Sequence, residues 1–281
     1  METEVEPPES SPADTRAEML RLSARGYTQL RHVLVQLPDS EASRESTLAR
    51  MVRARKHRAL LLYLLLLACW PWLADRREPL PAGVWVRALT ASKGLTWSAS
   101  TLSRAWKDLE DLGLIDRHRE DRLLRVTPRR EDGVVPYDPP GGRKDRWNAY
   151  FALPDAFWDN EWFARLSLPA LAMMLVVAKE TNAKTEMWLT YPKAEPWYGL
   201  KPQTAQKGLK ELESWNLVHR RKEVIKAPLS PTGTTVRMWY SLTGDFGFEA
   251  RQALQQRAAT ERRKRLSRAT PTTPQTDKAT S

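Results

Sequence analysis

Apolar residues recur at helical spacing through residues 98–112, where Leu102, Ala105 with Trp106, Leu109 and Leu112 fall three or four apart. They predict a helix that Gly113 stops. Upstream, residues 50–70 read as one helix, basic at its start and apolar later, and residues 84–94 as a short second helix. Downstream, residues 114–119 and 122–127 predict a hairpin around Glu120-Asp121. Residues 27–37 (YTQLRHVLVQL) read as a lead-in strand or short helix. The pattern then restarts. Residues 150–158 echo the lead-in loosely, and residues 166–179 form an apolar helix. Residues 190–199 form a short helix and residues 202–215 a third. Pro202 stands there at a permitted first-turn position. Residues 217–226 and 235–242 form a second hairpin with a Pro/Ser/Gly tip.

The two halves also repeat in letters. TLSRAWKDLEDLGLIDR, from Thr101, aligns without a gap on TAQKGLKELESWNLVHR, from Thr204. Lys107/Lys210, Leu109/Leu212, Glu110/Glu213, Leu114/Leu217 and Arg117/Arg220 are identical. So long a period means two copies of one domain rather than a short-repeat solenoid. The expected layout is a disordered acidic arm over 1–26, domains over 27–135 and 150–245, a loop-rich linker over 136–149, and a basic helical or disordered tail over 246–281.

Charge narrows the partner. The chain has 281 residues and a net charge of +11, with a pI near 9.9. That favours a polyanion, nucleic acid before membrane. The start is acidic (Glu2, Glu4, Glu6, Glu9, Asp14), while Arg262, Arg263, Lys264 and Arg265 cluster near the end as a phosphate anchor or a solvated tail. The apolar run 59–70 halts at Pro71, short of the roughly 20 residues a helical membrane span needs. No signal peptide is recognisable, so an intracellular, cytoplasmic protein is expected. The lone Cys69 reads as a small buried hydrophobe.

In each third helix the face opposite the apolar stripe is polar and basic. It carries Ser100, Ser103, Arg104, Lys107 and Asp111 in the first copy, and Gln203, Gln206, Lys207, Lys210 and Ser214 in the second. The buried stripe of the second copy is Ala205, Gly208 with Leu209, Leu212 and Trp215. Arg104 and Lys207 suit guanine edges, and Gln203 or Gln206 suits adenine. Thr101 and Thr204, at the flank, suit phosphates. An ordinary solvated helix face would show the same stripe. The hairpins add Arg117, Arg119, Arg122 and Arg125 in the first copy and Arg220, Arg221, Lys222, Lys226 and Arg237 in the second. Alternation puts Arg220 and Lys222 on one strand face.

Three helices followed by a hairpin, with SxSTLSRxWxxLxxLGLIDR over residues 98–117, resemble the winged helix-turn-helix family. The resemblance covers about residues 50–128 and 160–242. The second copy departs from the pattern: Asn216 replaces the turn glycine and Lys201-Pro202 the helix cap, though Asn tolerates the left-handed conformation. The implied fold is mainly α with small β-hairpins, two winged helix-turn-helix domains in tandem. The implied function is sequence-specific binding of double-stranded DNA without catalysis, on the nucleoid. Bacterial winged-helix regulators and the replication initiators of iteron-bearing plasmids share this layout. A transcription regulator is the first expectation, an initiator the second, and a winged-helix protein-interaction module the third. A homodimer is left open.

Enzyme signatures are missing: there is no phosphate-binding GxxxxGK[ST] and no HExxH. His32, His57, His118 and His219 are scattered, so neither metal nor cofactor is expected. Among 12 tryptophans, Trp106 and Trp215 are expected in the core, and Trp147, Trp158 and Trp162 around the linker, where they would join the domains. Stacking of tryptophans on single-stranded bases is an alternative.

Overall fold

The computed structural model describes residues 10–38, 45–141 and 145–269. The chain is mixed α/β, half helical, with small antiparallel sheets. Residues 1–9 of the acidic arm and residues 270–281 of the tail lie outside the described residues.

The first difference from expectation is a helix, α1 (Pro12–Ser23), inside the stretch read as a disordered arm. Ser11 Oγ accepts the Asp14 amide at 3.1 Å while the Asp14 carboxylate accepts the Ser11 amide, and Pro12 opens the first turn. Met19 and Leu20 are buried. Strand β1 (Tyr27–Arg31) follows.

The predicted helix 50–70 is two helices, α2 (Thr47–Arg53) and α3 (His57–Leu73). Arg55 turns the corner between them in the left-handed region, at φ 54°. α3 also runs on through Pro71 to Leu73, so the proline does not end the helix. Its buried face spans Ala59–Cys69. Then come α4 (Ala82–Leu89), α5 (Ala99–Asp111) and the hairpin β2 (Ile115–Glu120) with β3 (Leu123–Pro128). Ser98 caps α5 by accepting the Thr101 amide. Gly113 ends it at φ 74°.

The second half opens on β4 (Tyr150–Pro154), then the short helices α6 (Ala156–Asp159) and α7 (Trp162–Arg165). It continues with α8 (Leu168–Glu180), β5 (Met187–Trp188), α9 (Tyr191–Tyr198) and α10 (Pro202–Ser214). The hairpin β6 (Val218–Lys226) and β7 (Thr234–Leu242) follows, and α11 (Phe248–Ala269) ends the described chain. β5 was not anticipated: it adds a third strand, order β5-β7-β6. Asn216 takes φ 54°, the conformation Gly113 takes in the first half. Gly208 lets α10 close on α8, since a Cβ there would stand 2.2 Å from the Pro169 carbonyl oxygen.

The halves are not separate bodies on a free linker. The lead-in strands pair with each other: β1 lies antiparallel to β4, with Gln29 opposite Ala152. Buried side chains of both halves form one cluster, which includes Leu64, Leu109, Trp158, Met173 and Leu212. The loop after β3 docks on Arg31. This guanidinium meets the Glu131 carboxylate at 2.9 Å and Asp138 at 2.8 Å, and Arg31 and Glu131 are both fully buried. Arg16 of α1 reaches the Ala88 carbonyl and Glu161, tying the first half to α7. At the far end Arg251 of α11 is buried and donates to the carbonyls of Ala178 and Thr181 at the end of α8. Burial holds its pKa down at about 10.

Candidate nucleic-acid interface

α5 and α10 present the residues the repeat singled out. Leu102, Ala105, Trp106 and Leu109 of α5, and Ala205, Gly208, Leu209 and Leu212 of α10, are buried. Ser100, Ser103, Arg104 and Lys107 are exposed, as are Gln203, Lys207 and Lys210; Thr101, Thr204 and Gln206 are half-buried. Trp215 departs from the expectation. It sits at the end of α10 and turns outward, 44% exposed, with its ring edge-on to Trp162. Trp158 belongs to the shared core beside Phe157 and Phe163, whereas Trp147 lies exposed beneath Arg130.

The basic residues fall into two groups. Several are engaged inside the protein. Arg117 pairs with Glu110 and holds that carboxyl below the usual carboxylate range. Arg220 pairs with Glu213 at 2.8 Å. Arg221 forks onto Glu186 through Nε at 3.2 Å and Nη2 at 2.7 Å. Arg125 pairs with Glu120 and donates to the carbonyls of Arg76 and Arg77. Arg237 lies over the rings of Trp188 and Trp239. Lys107 makes a solvent-exposed pair with Asp111 at 3.1 Å.

The other group has no ion pair among the described residues: Arg104, Arg119, Arg122, Lys207, Lys210, Lys222 and Lys226. Arg104 makes only a long contact, 3.4 Å, to the Ser100 carbonyl. The Ser100 and Thr101 hydroxyls each lie 3.0 Å from that of Ser98. Gln203, Gln206 and Ser103 have no side-chain hydrogen bond among the described residues. The N-terminal half of each third helix therefore carries polar and cationic groups that the fold leaves uncommitted.

Sequence reasoning missed the corner between α2 and α3. Its basic letters were visible as the start of a helix, but their place beside α5 was not. Arg50 donates to the Leu112 carbonyl, and Lys56 pairs with Asp108 at 2.8 Å. Arg58 donates to the Thr96 carbonyl at 2.7 Å and lies over the Trp97 ring, 5.1 Å from its centre. Burial and then the Arg58 charge hold His57 below its ordinary pKa, and Glu211 of α10 pulls it the other way.

Among the described residues no helix is long and apolar enough to cross a membrane, and no group of three His, Cys, Asp or Glu is set to hold a metal ion. A cleft of about 720 Å³ lies between α1, β1 and α11, with Arg25, Tyr27, Tyr150 and Arg262 in its wall; no residue of α5 or α10 lines it. Comparison with protein-family models, with curated proteins and with solved structures found no match to this chain.

Proposed function

We propose that this chain binds double-stranded DNA sequence-specifically and acts without catalysis as a transcription regulator, in the cytoplasm and on the nucleoid. The reading is supported by the order α3, α4, α5 before the β2–β3 hairpin and α8, α9, α10 before the β6–β7 hairpin, the order of helices and wing in a winged helix-turn-helix. In that reading α5 and α10 are the recognition helices, with their N-terminal residues toward base edges in the major groove. The observation that carries the proposal is the division of charge. On a chain of net charge +11, Arg104 of α5 and Lys207 of α10 have no ion pair among the described residues, nor has Lys222 of β6, while Arg117, Arg220 and Arg221 pair with internal carboxylates. Free cations and amides gathered on two equivalent helices are what base reading requires.

The test is site selection from random duplex, followed by affinity measured against salt. About 6–10 phosphate contacts would lower affinity by roughly 10³–10⁵ between 50 and 200 mM salt. A flat salt response, or no selected sequence, would leave the protein-interaction module as the better account.

One observation favours a plasmid-type replication initiator as the second reading. Pairing of β1 with β4 fixes the two units within one monomer, which suits a site read as two unlike halves in tandem direct repeats. Cooperative occupancy of a repeat array, against independent occupancy of single sites, separates initiator from regulator.

A further inference from the structure

Arg58, a cation of the α2–α3 corner, has its guanidinium bonded just before the start of α5. Its bond to the Thr96 carbonyl and its stack on Trp97 place it just before Ser98, the residue that caps the helix. Trp97 is itself buried, at 7% exposure, while the Arg58–Thr96 bond beside it is exposed to solvent. Arg104 reaches back into the same first turn, toward the Ser100 carbonyl. Two guanidinium groups thus converge on the N-terminal end of a 13-residue helix whose first turn has no acidic residue. Neither forms an ion pair among the described residues. Burial first, and then the neighbouring Arg104 charge, hold the Arg58 pKa below its ordinary value. The positive end of the helix dipole adds to the same field.

We propose that Arg58 is a phosphate anchor, holding one phosphodiester of the bound duplex beside the bases that Arg104 reads. The inference rests on the DNA-binding reading and assigns a residue outside the recognition helices and hairpins. The two cations differ in what they can do. Arg58 is held by the Thr96 carbonyl and by the Trp97 ring, with further N–H groups left for a backbone oxygen. Arg104 is exposed and nearly unbonded, which suits a base edge.

The experiment uses the full chain, its selected duplex and a set of duplexes in which single linkages are neutral methylphosphonates. Arg58→Gln should weaken binding to every single-base variant of the site by a similar factor. It should lower the slope of log affinity against log salt by about 0.9, one phosphate's worth. One neutral linkage should weaken wild type and leave Arg58→Gln unaffected. Arg58→Met, which keeps an apolar stem over Trp97, should behave alike. Wild-type affinity and slope in both variants, with no such linkage, would overturn the anchor while leaving DNA binding intact. If neither variant folded, Arg58 would be a structural group and the proposal would fail. Absence of duplex binding by wild type would instead remove the reading beneath it.

Discussion

Arg220 Nε lies 2.8 Å from a Glu213 oxygen, and Arg117 makes the same pair with Glu110 in the first half. These are identical positions of the internal repeat. Their shared letters are explained by a clasp that holds each hairpin to the helix before it. The sequence offers Arg117 and Arg220 as DNA contacts; the structure gives each an internal carboxylate partner. Each pair is partly exposed, so its worth is about 0–1 kcal/mol.

The clasp gives a contrast within one hairpin. Arg220→Gln should lower stability slightly and leave the salt slope of DNA binding near wild type. Lys222→Ala, which removes a cation with no ion pair among the described residues, should lower that slope by about 0.9 and weaken all sequences alike. Salt titrations of the two variants make the comparison. Equal slopes for both would contradict the division of charge.

Gly208 is required by space rather than by backbone conformation. A methyl group there would press on the Pro169 carbonyl and on the Met173 side chain. Gly208→Ala should cost about 1–3 kcal/mol through overpacking, despite the better helix propensity of alanine. Thermal unfolding is the measurement. A gain in Tm would show that α8 and α10 do not approach this closely.

The joint between the halves depends on the fully buried Arg31–Glu131 pair. Glu131→Gln leaves the guanidinium with Asp138 alone for charge, and should cost about 3–5 kcal/mol. Denaturant unfolding would register this as a fall in midpoint with unchanged slope. A loss below about 1 kcal/mol would mean that the loop after β3 does not dock on Arg31.

Asp155, where β4 meets α6, has its pKa pushed up from 3.8 to about 7, first by burial and then by the Asp159 charge. A raised carboxyl penalises the fold when ionised. The penalty is full above pH 7, fades as pH falls from 7 toward 4, and is gone below that. Asp155→Asn should therefore raise Tm at pH 8 and give progressively less gain toward pH 5. Parallel Tm curves for variant and wild type would contradict the assignment.

Elements built on repeating apolar faces were legible in the sequence. Leu109 and Leu212 fall where the period puts them, both fully buried, and the turn after each third helix falls at Gly113 and Asn216. What escaped depends on contacts outside the periodic pattern. α1 carried its capping signal in Ser11 and Asp14, but the acidic composition around it masked the short apolar face of Met19 and Leu20. β5 is two residues long and exists only through its pairing with β7. Trp215 continued the apolar period by one step, yet the helix ends there and the ring swings out to Trp162. Arg58 is legible as a charge and illegible as a neighbour of α5, because only the left-handed corner at Arg55 brings it there.

The most direct test of the central claim is a set of binding profiles across single-base variants of the selected site. Arg104 and Lys207 occupy matching positions of the repeat, and the residues around them differ: Ser100 and Ser103 in α5, Gln203 and Gln206 in α10. If the two helices read adjacent and unlike sub-sites, Arg104→Ala should relax selectivity by about 1–3 kcal/mol at positions in one half only. Lys207→Ala should do so in the other half. Both variants changing the same positions, or lowering affinity uniformly over all variants, would show that α5 and α10 are solvated faces and not readers.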